Sequence, residues 1–220
     1  MLKKLSNSQT AIVVALIGII PAILTYIIKP EKSLTDINKE SHHTIIQKVH
    51  NVPGYKNYAY PNMCLGFAAP SSWSLEDAAA NFAGSELDLV KRYEQTGGII
   101  GVKFRIQSVQ KNYINNIEIE TKNQLAVLKK IDPTTTVKDV TISGRHAKCF
   151  SYKQKTGELY GDIKLFFVRL IPEVKLVIVA FARDESSDEE EFWDQFNVIK
   201  HSIYFDTSEI EKRTKLMQQS

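Results

Sequence analysis

Cysteine is scarce in this 220-residue chain: Cys64 and Cys149 are the only two. That excludes a disulfide-dense secreted scaffold, and no C-x-x-C pair exists to seed a structural zinc site. Charge of one sign is also missing. Lys and Arg (28) nearly balance Asp and Glu (25), the formal net charge is +3, and no block of like charge gives a nucleic-acid footprint. No aromatic RNA-binding signature occurs. Also absent are the nucleophile elbow G-x-S-x-G, a phosphate loop, H-E-x-x-H and a dinucleotide fingerprint. The sequence predicts no catalytic residues and no cofactor.

One long hydrophobic run stands out against this. Residues Ala11 to Ile28 carry no charge and hold eleven Ile, Leu and Val. A hydrocarbon core of ~30 Å takes roughly 17–25 helical residues, so the run is long enough to span. A signal peptide would have a shorter apolar region and a small-x-small cleavage site, whereas this run ends Tyr26-Ile27-Ile28-Lys29-Pro30. The expectation is an uncleaved single-pass anchor, with the lipid bilayer as partner of residues 11–28. Lys3 and Lys4 on one side and Lys29, Lys32 and Lys39 on the other leave the positive-inside count near balance.

The expected organisation is a basic leader (1–10), the span (11–28), a juxtamembrane connector (29–53), a globular domain (54–206) and a polar, frayed tail (207–220). The connector has weak helical character and lies near the headgroups or packs loosely on the domain. Within the domain, Met63 to Ala69 reads as a short strand stopped by Pro70. Ser74-Leu75-Glu76-Asp77 resembles a capping box opening a helix through Gly84. Leu87 to Glu94 and Ile99 to Val109 read as paired strands. The second alternates Ile100, Val102, Phe104 and Ile106 with Gly101, Lys103, Arg105 and Gln107.

Asn115 with Glu118 starts the longest soluble helix, which Asp132-Pro133 closes. Val137–Ile142, a Ser143-Gly144 turn and Arg145–Lys153 form a hairpin, followed by strands Leu159–Arg169 and Val174–Arg183. The LVIVAF run of the last is apolar on both faces, which marks a central strand. A helix from Ser187 to about His201 buries Phe192, Phe196 and Ile199, and Ile203–Phe205 adds a short strand. Tight turns between successive strands force antiparallel pairing. The fold class is therefore α+β: an antiparallel sheet covered by helices on both sides, a three-layer α/β/α sandwich, behind a single N-terminal transmembrane helix.

Tyr60-Pro61-Asn62, Leu65-Gly66-Phe67, Pro70-Ser71-Ser72-Trp73, Ile142-Ser143-Gly144-Arg145-His146-Ala147 and Phe150-Ser151-Tyr152 stand in order before the apolar strand and the closing segment Phe192 to Phe205. This layout resembles the PsbP-like family over about Tyr60 to Phe205. The resemblance implies the same sandwich, a binding or assembly role rather than catalysis, and a domain on the extracytoplasmic side. Photosynthesis is not implied, and no Ran-binding surface is recognisable.

The candidate site residues are few. Tyr55, Tyr58 and Tyr60 cluster near Trp73 and offer a surface for a protein partner, or a flap sealing a sheet edge. Cys64 and Cys149 are a candidate disulfide, whose loop closure would contribute roughly 4–5 kcal/mol, or two small buried thiols. Asp184 to Glu191 (DESSDEEE) reads as a helix cap through Ser187 and Glu190 rather than a calcium loop, which needs a glycine. Asp36, Glu40, His43 and His50 fall at helical spacing but read as a polar connector face, so no metal site is expected. His146 and Cys149, three apart on a strand, point to opposite faces and form no local dyad. The leading expectation is a membrane-anchored, non-enzymatic binding or assembly module. The alternatives are an enzyme or small-ligand binder with a dispersed site, and an inward-facing cytoplasmic effector.

Overall fold

The computed structural model describes residues 44–77, 86–92, 99–114, 116–156, 159–183 and 189–219. The chain divides into two units, Met1–Leu34 and Thr35–Ser220, and every described residue belongs to the second. The apolar run 11–28 lies outside the described residues. Among those described, no helix is long and apolar enough to cross a membrane.

Alternation of apolar and polar residues builds a seven-stranded antiparallel sheet. Its strands are β3 (Ser74–Asp77), β4 (Glu86–Arg92), β5 (Ile99–Ser108), β6 (Thr136–Ile142), β7 (Arg145–Thr156), β8 (Leu159–Ile171) and β9 (Val174–Arg183), in the spatial order β3-β4-β5-β9-β8-β7-β6. The doubly apolar β9 occupies the centre, as its sequence requires. One face presents Leu87, Val102, Phe104, Phe166, Leu176 and Ile178 to the main core; the other presents Phe150, Ile163, Leu165, Phe167 and Val177 to a second.

Each face has its own cover. Helix α1 (Ile117–Leu128) puts Leu128 and Leu125 on the second core. Helix α2 (Glu189–Ser202) buries Phe192, Phe196 and Ile199 in the main core. A three-stranded sheet also lies over the main core: β1 (Tyr55–Tyr60), β2 (Leu65–Pro70) and β10 (Tyr204–Phe205), with β2 in the middle. Phe67 of β2 stacks on Phe104 of β5 at 4.8 Å. The described residues thus form an α+β arrangement of antiparallel sheets and helices.

Four local expectations are corrected. Ser74–Asp77 is strand β3, not the start of a helix. Its residues pair with β4 (Ser74 opposite Val90, Asp77 opposite Leu87), and the Ser74 hydroxyl donates to the Val90 carbonyl instead of capping a turn. The cap of α1 is Asn116, whose Oδ1 accepts from the Ile119 amide at 3.1 Å, rather than its neighbour Asn115. The tail from Thr207 is a helix, α3 (Thr207–Gln219), seated by fully buried Ile210 and by Thr214. The end of the connector, helical at 44–48, docks firmly: Ile45 is 0% and Val49 5% exposed, and both lie on Gly66 of β2.

Candidate functional site

Of the aromatic cluster, Trp73, Tyr58 and Tyr60 pack on the main core. Trp73 is 3% exposed, stacks on Phe192 at 5.7 Å and donates its indole N–H to Gln195 Oε1 at 3.0 Å, which corrects its place in a partner surface. Tyr58 stacks on Phe67, and Tyr58 and Tyr60 lie half-buried against the main core. Burial, then the charges of Glu191 and Asp194, push the Tyr55 hydroxyl above its ordinary pKa.

Cys64 and Cys149 do not pair. Both are free thiols buried within the main core. Burial drives Cys64 up to about 12, and Cys149 rises for the same reason. Asp36, Glu40 and His43 lie outside the described residues, as does Ser187 of the acidic cap; His50 is exposed. Among the described residues, no three His, Cys, Asp or Glu groups are placed to hold a metal ion.

The structure instead places a cluster that no sequence spacing announces at one end of the sheet. Ser143 and Gly144 both adopt positive φ (49° and 73°), a two-residue hairpin turn of the kind that matches strand twist. The turn sets Arg145 opposite Ile142, His146 opposite Thr141 and Lys148 opposite Asp139. Beside it lies an open cleft of about 500 Å³ lined by Ile114, Ile117, Gly144, Arg145, His146 and Arg169.

Two ionic networks border this cleft. In the first, Glu120 of α1 accepts from Arg169 Nη2 at 2.9 Å and from Lys175 Nζ at 2.5 Å. Glu120 and Lys175 are buried, and the Lys175 ammonium also sits 4.2 Å from the Phe167 ring centre. Burial holds both cations below their ordinary pKa values while Glu120 pulls them back up. Two cations share one carboxylate, so this network carries one net positive charge, and Arg169 brings it to the cleft wall. A charge in such a partly desolvated setting is costly unless matched.

In the second network, buried Lys148 bridges Glu118 Oε1 (2.7 Å) and Asp139 Oδ1 (2.8 Å), and His146 Nε2 meets the same Asp139 oxygen at 2.7 Å. Hydrogen bonds from Lys148 first, then His146, hold the Asp139 carboxyl below its usual range. Donating to Asp139 and Glu118 raises Lys148 in turn. The bonds of His146 end at Asp139: among the described residues no serine, threonine or cysteine is bonded to its ring. The Arg145 guanidinium is spent on the Leu170 carbonyl and the Thr207 hydroxyl, both at 2.5 Å, and ties α3 to the sheet.

The cleft therefore offers apolar walls from Ile114 and Ile117, a guanidinium edge from Arg169 and an imidazole at its mouth. It is suited to an anionic group carried on a small apolar body. Sequence reading missed Glu120, Arg169 and Lys175. The one available signal was a lysine set immediately before the apolar β9 run, at a position the strand buries.

No protein-family model matches the chain, and no curated protein matches it. Among solved structures it is similar to cyanobacterial PsbP (CyanoP) from Synechocystis sp. PCC 6803, at TM-score 0.47 and 10% identity over 70% of this chain and 94% of that one. It is also similar to LpqN, involved in cell envelope biogenesis of Mycobacterium tuberculosis (TM-score 0.46, 16% identity, 70% and 86% covered). A Bacteroides thetaiotaomicron protein matches at TM-score 0.43 with 8% identity, 69% of this chain and 48% of that one being covered. PsbP, the resemblance read from sequence, is thus among the folds this chain is similar to.

Proposed function

We propose that this chain is a membrane-tethered, non-enzymatic binding module whose domain, on the extracytoplasmic side, takes an acidic group of a protein partner into the cleft beside the Ser143-Gly144 turn. The tether rests on the uncharged run Ala11 to Ile28, which has the length and composition of a span. The observation that carries the recognition reading is the shared carboxylate of Glu120. Arg169 and Lys175 together outnumber it by one charge, and Arg169 carries that excess to the wall of the open cleft, where an entering carboxylate meets it. The apolar walls of Ile114 and Ile117 favour a group borne on a peptide over a bare ion.

A photocrosslinking residue at Ile114, in the full chain in its native membrane, tests this. A single discrete adduct is expected that the same probe at exposed Ser71 does not give. His146→Glu, which puts a negative charge at the mouth, should abolish it. Equal labelling from both positions would sink the reading.

The cleft's volume also lies within the range of small-molecule sites. Thermal stabilisation of the full chain by small carboxylates, without any protein adduct, would favour a small-ligand binder instead.

A further inference from the structure

On the opposite face of the sheet from the cleft, a second charged surface runs between α2 and the β6 edge. Strand register puts Lys138 directly across from Cys149, Ser151 across from Lys164, and Lys153 across from Asp162, with their side chains on the face that α2 covers. From α2, Trp193 and Lys200 approach the same strip. The Lys164 ammonium stands 3.8 Å from the Trp193 ring centre, and Lys200 donates to Asn197.

Lys138, Lys153 and Lys164 therefore share one face of the sheet with Cys149 and Ser151, and Lys200 comes to it from α2. Carboxylates beside it include Asp162, 3.6 Å from Lys153, Asp132, whose carboxylate accepts from the Lys153 amide, and Glu189, which accepts from the Trp193 indole. Among the described residues, Lys138, Lys164 and Lys200 have no carboxylate partner.

The crowding is felt locally. Burial holds the Lys200 ammonium below its ordinary value, with Lys164 adding to the fall and the Cys149 thiol opposing it. The charges of Lys164, Lys200 and Lys138 all lower that thiol's pKa, against the larger effect of burial, which raises it.

A bilayer surface fits this strip better than a deep-pocket ligand does. The cations are long and flexible, and an indole with lysines around it is the pairing favoured at the headgroup level of membranes. A chain that already enters the bilayer would hold this face at high effective concentration, so weak attraction is sufficient.

We propose that the strip formed by Lys138, Lys153, Lys164, Lys200 and Trp193 lies against anionic lipid headgroups, fixing how the tethered domain faces its membrane. This rests on the tether reading of residues 11–28, and the two can fail separately.

The test uses the full chain reconstituted into vesicles of phosphatidylcholine alone or with added phosphatidylglycerol, each doped with lipid brominated near the headgroup. Trp193 is the half-exposed one of the two tryptophans, so the difference in quenching between wild type and Trp193→Phe isolates it. Severalfold stronger quenching is expected with phosphatidylglycerol, reversed at high ionic strength. In the double variant Lys138→Glu, Lys200→Glu it should fall to the phosphatidylcholine level, since each lysine near an anionic surface contributes roughly fivefold in binding. Lys164 stays over the indole in that variant, so the reporter's surroundings are kept.

Quenching that is equal in the two lipids, or that survives the double variant, overturns the proposal. A Trp193 emission change driven by poly-L-glutamate without lipid quenching overturns it in favour of an acidic protein segment. Flotation separates the tether: a chain that floats with neutral vesicles and shows no lipid-dependent quenching keeps its anchor and loses the strip. One that floats only with anionic vesicles, and is quenched there, keeps the strip and loses the anchor.

Discussion

Lys175 of β9 and Glu120 of α1 meet at 2.5 Å in a buried ion pair, and this pair joins the helix to the central strand of the sheet. Arg169 completes it from the neighbouring strand. Glu120→Gln leaves two cations facing a neutral amide away from water, at a cost of about 3–5 kcal/mol in urea unfolding. Replacing Glu120 and Lys175 together by leucine should cost less than Glu120→Gln alone. A larger loss in the double variant would contradict the excess-cation account of this site.

Gly66 gives a second prediction. A Cβ there would stand 2.5 Å from Ile45 Cγ2, 2.6 Å from Val49 Cγ2 and 3.2 Å from the Tyr58 carbonyl. Gly66→Ala should destabilise the domain by about 1–3 kcal/mol and speed proteolysis within residues 44–52. Adding Ile45→Ala removes the nearest methyl, so the two losses should sum to less than their separate values. Full additivity would mean that the 44–49 segment does not rest on Gly66.

Alkaline pH should weaken the fold through Cys64 and Tyr152. Burial raises each to about 12 in the folded state, against 9.0 and 10.0 when unperturbed. The unfolded chain releases these protons first, so the stabilisation is complete below about pH 9 and is lost as pH rises through 9 toward 12. Unfolding free energy measured from pH 7 upward should bend down in that window. Tyr152→Phe should flatten the bend above pH 10, and Cys64→Ala the part that begins near 9. An unchanged bend in both variants would assign the alkaline loss elsewhere.

The C-terminal helix is testable by contrast. Ile210 is 0% exposed and Leu216 59%. Ile210→Ala should cost about 2–4 kcal/mol in urea unfolding, while Leu216→Ala should stay within about 0.5 kcal/mol. Equal effects would return the segment to a frayed tail.

How legible these features were from sequence depends on the range of the interactions that make them. The alternation in β5, the doubly apolar β9 and the Phe192, Phe196, Ile199 stripe of α2 are periodic within a dozen residues, and each became the expected element. Ser74-Leu75-Glu76 failed because a serine before acidic residues suits both a helix cap and an edge strand; the hydrogen bond to Val90, sixteen positions away, decides. α3 was missed because Ile210 stands nearly alone in a polar run, and its seat is built by distant residues such as Arg145. The cleft was invisible for the same reason: Glu120 meets Arg169 and Lys175 across 49 and 55 positions. No local pattern encodes such a meeting.

β2 is clasped from both ends of the domain. Ile45 and Val49 cover Gly66 from one side of the sequence; Tyr204 pairs with that glycine from the other, and Ser202 Oγ donates to the Ala68 carbonyl while accepting from its amide. During synthesis the second half of that clasp, with Ser202 134 positions beyond Ala68, emerges long after the strand itself. The strand therefore waits, half-dressed, for those residues, and a polypeptide stalled before Ser202 would show a bare apolar edge to whatever holds nascent chains.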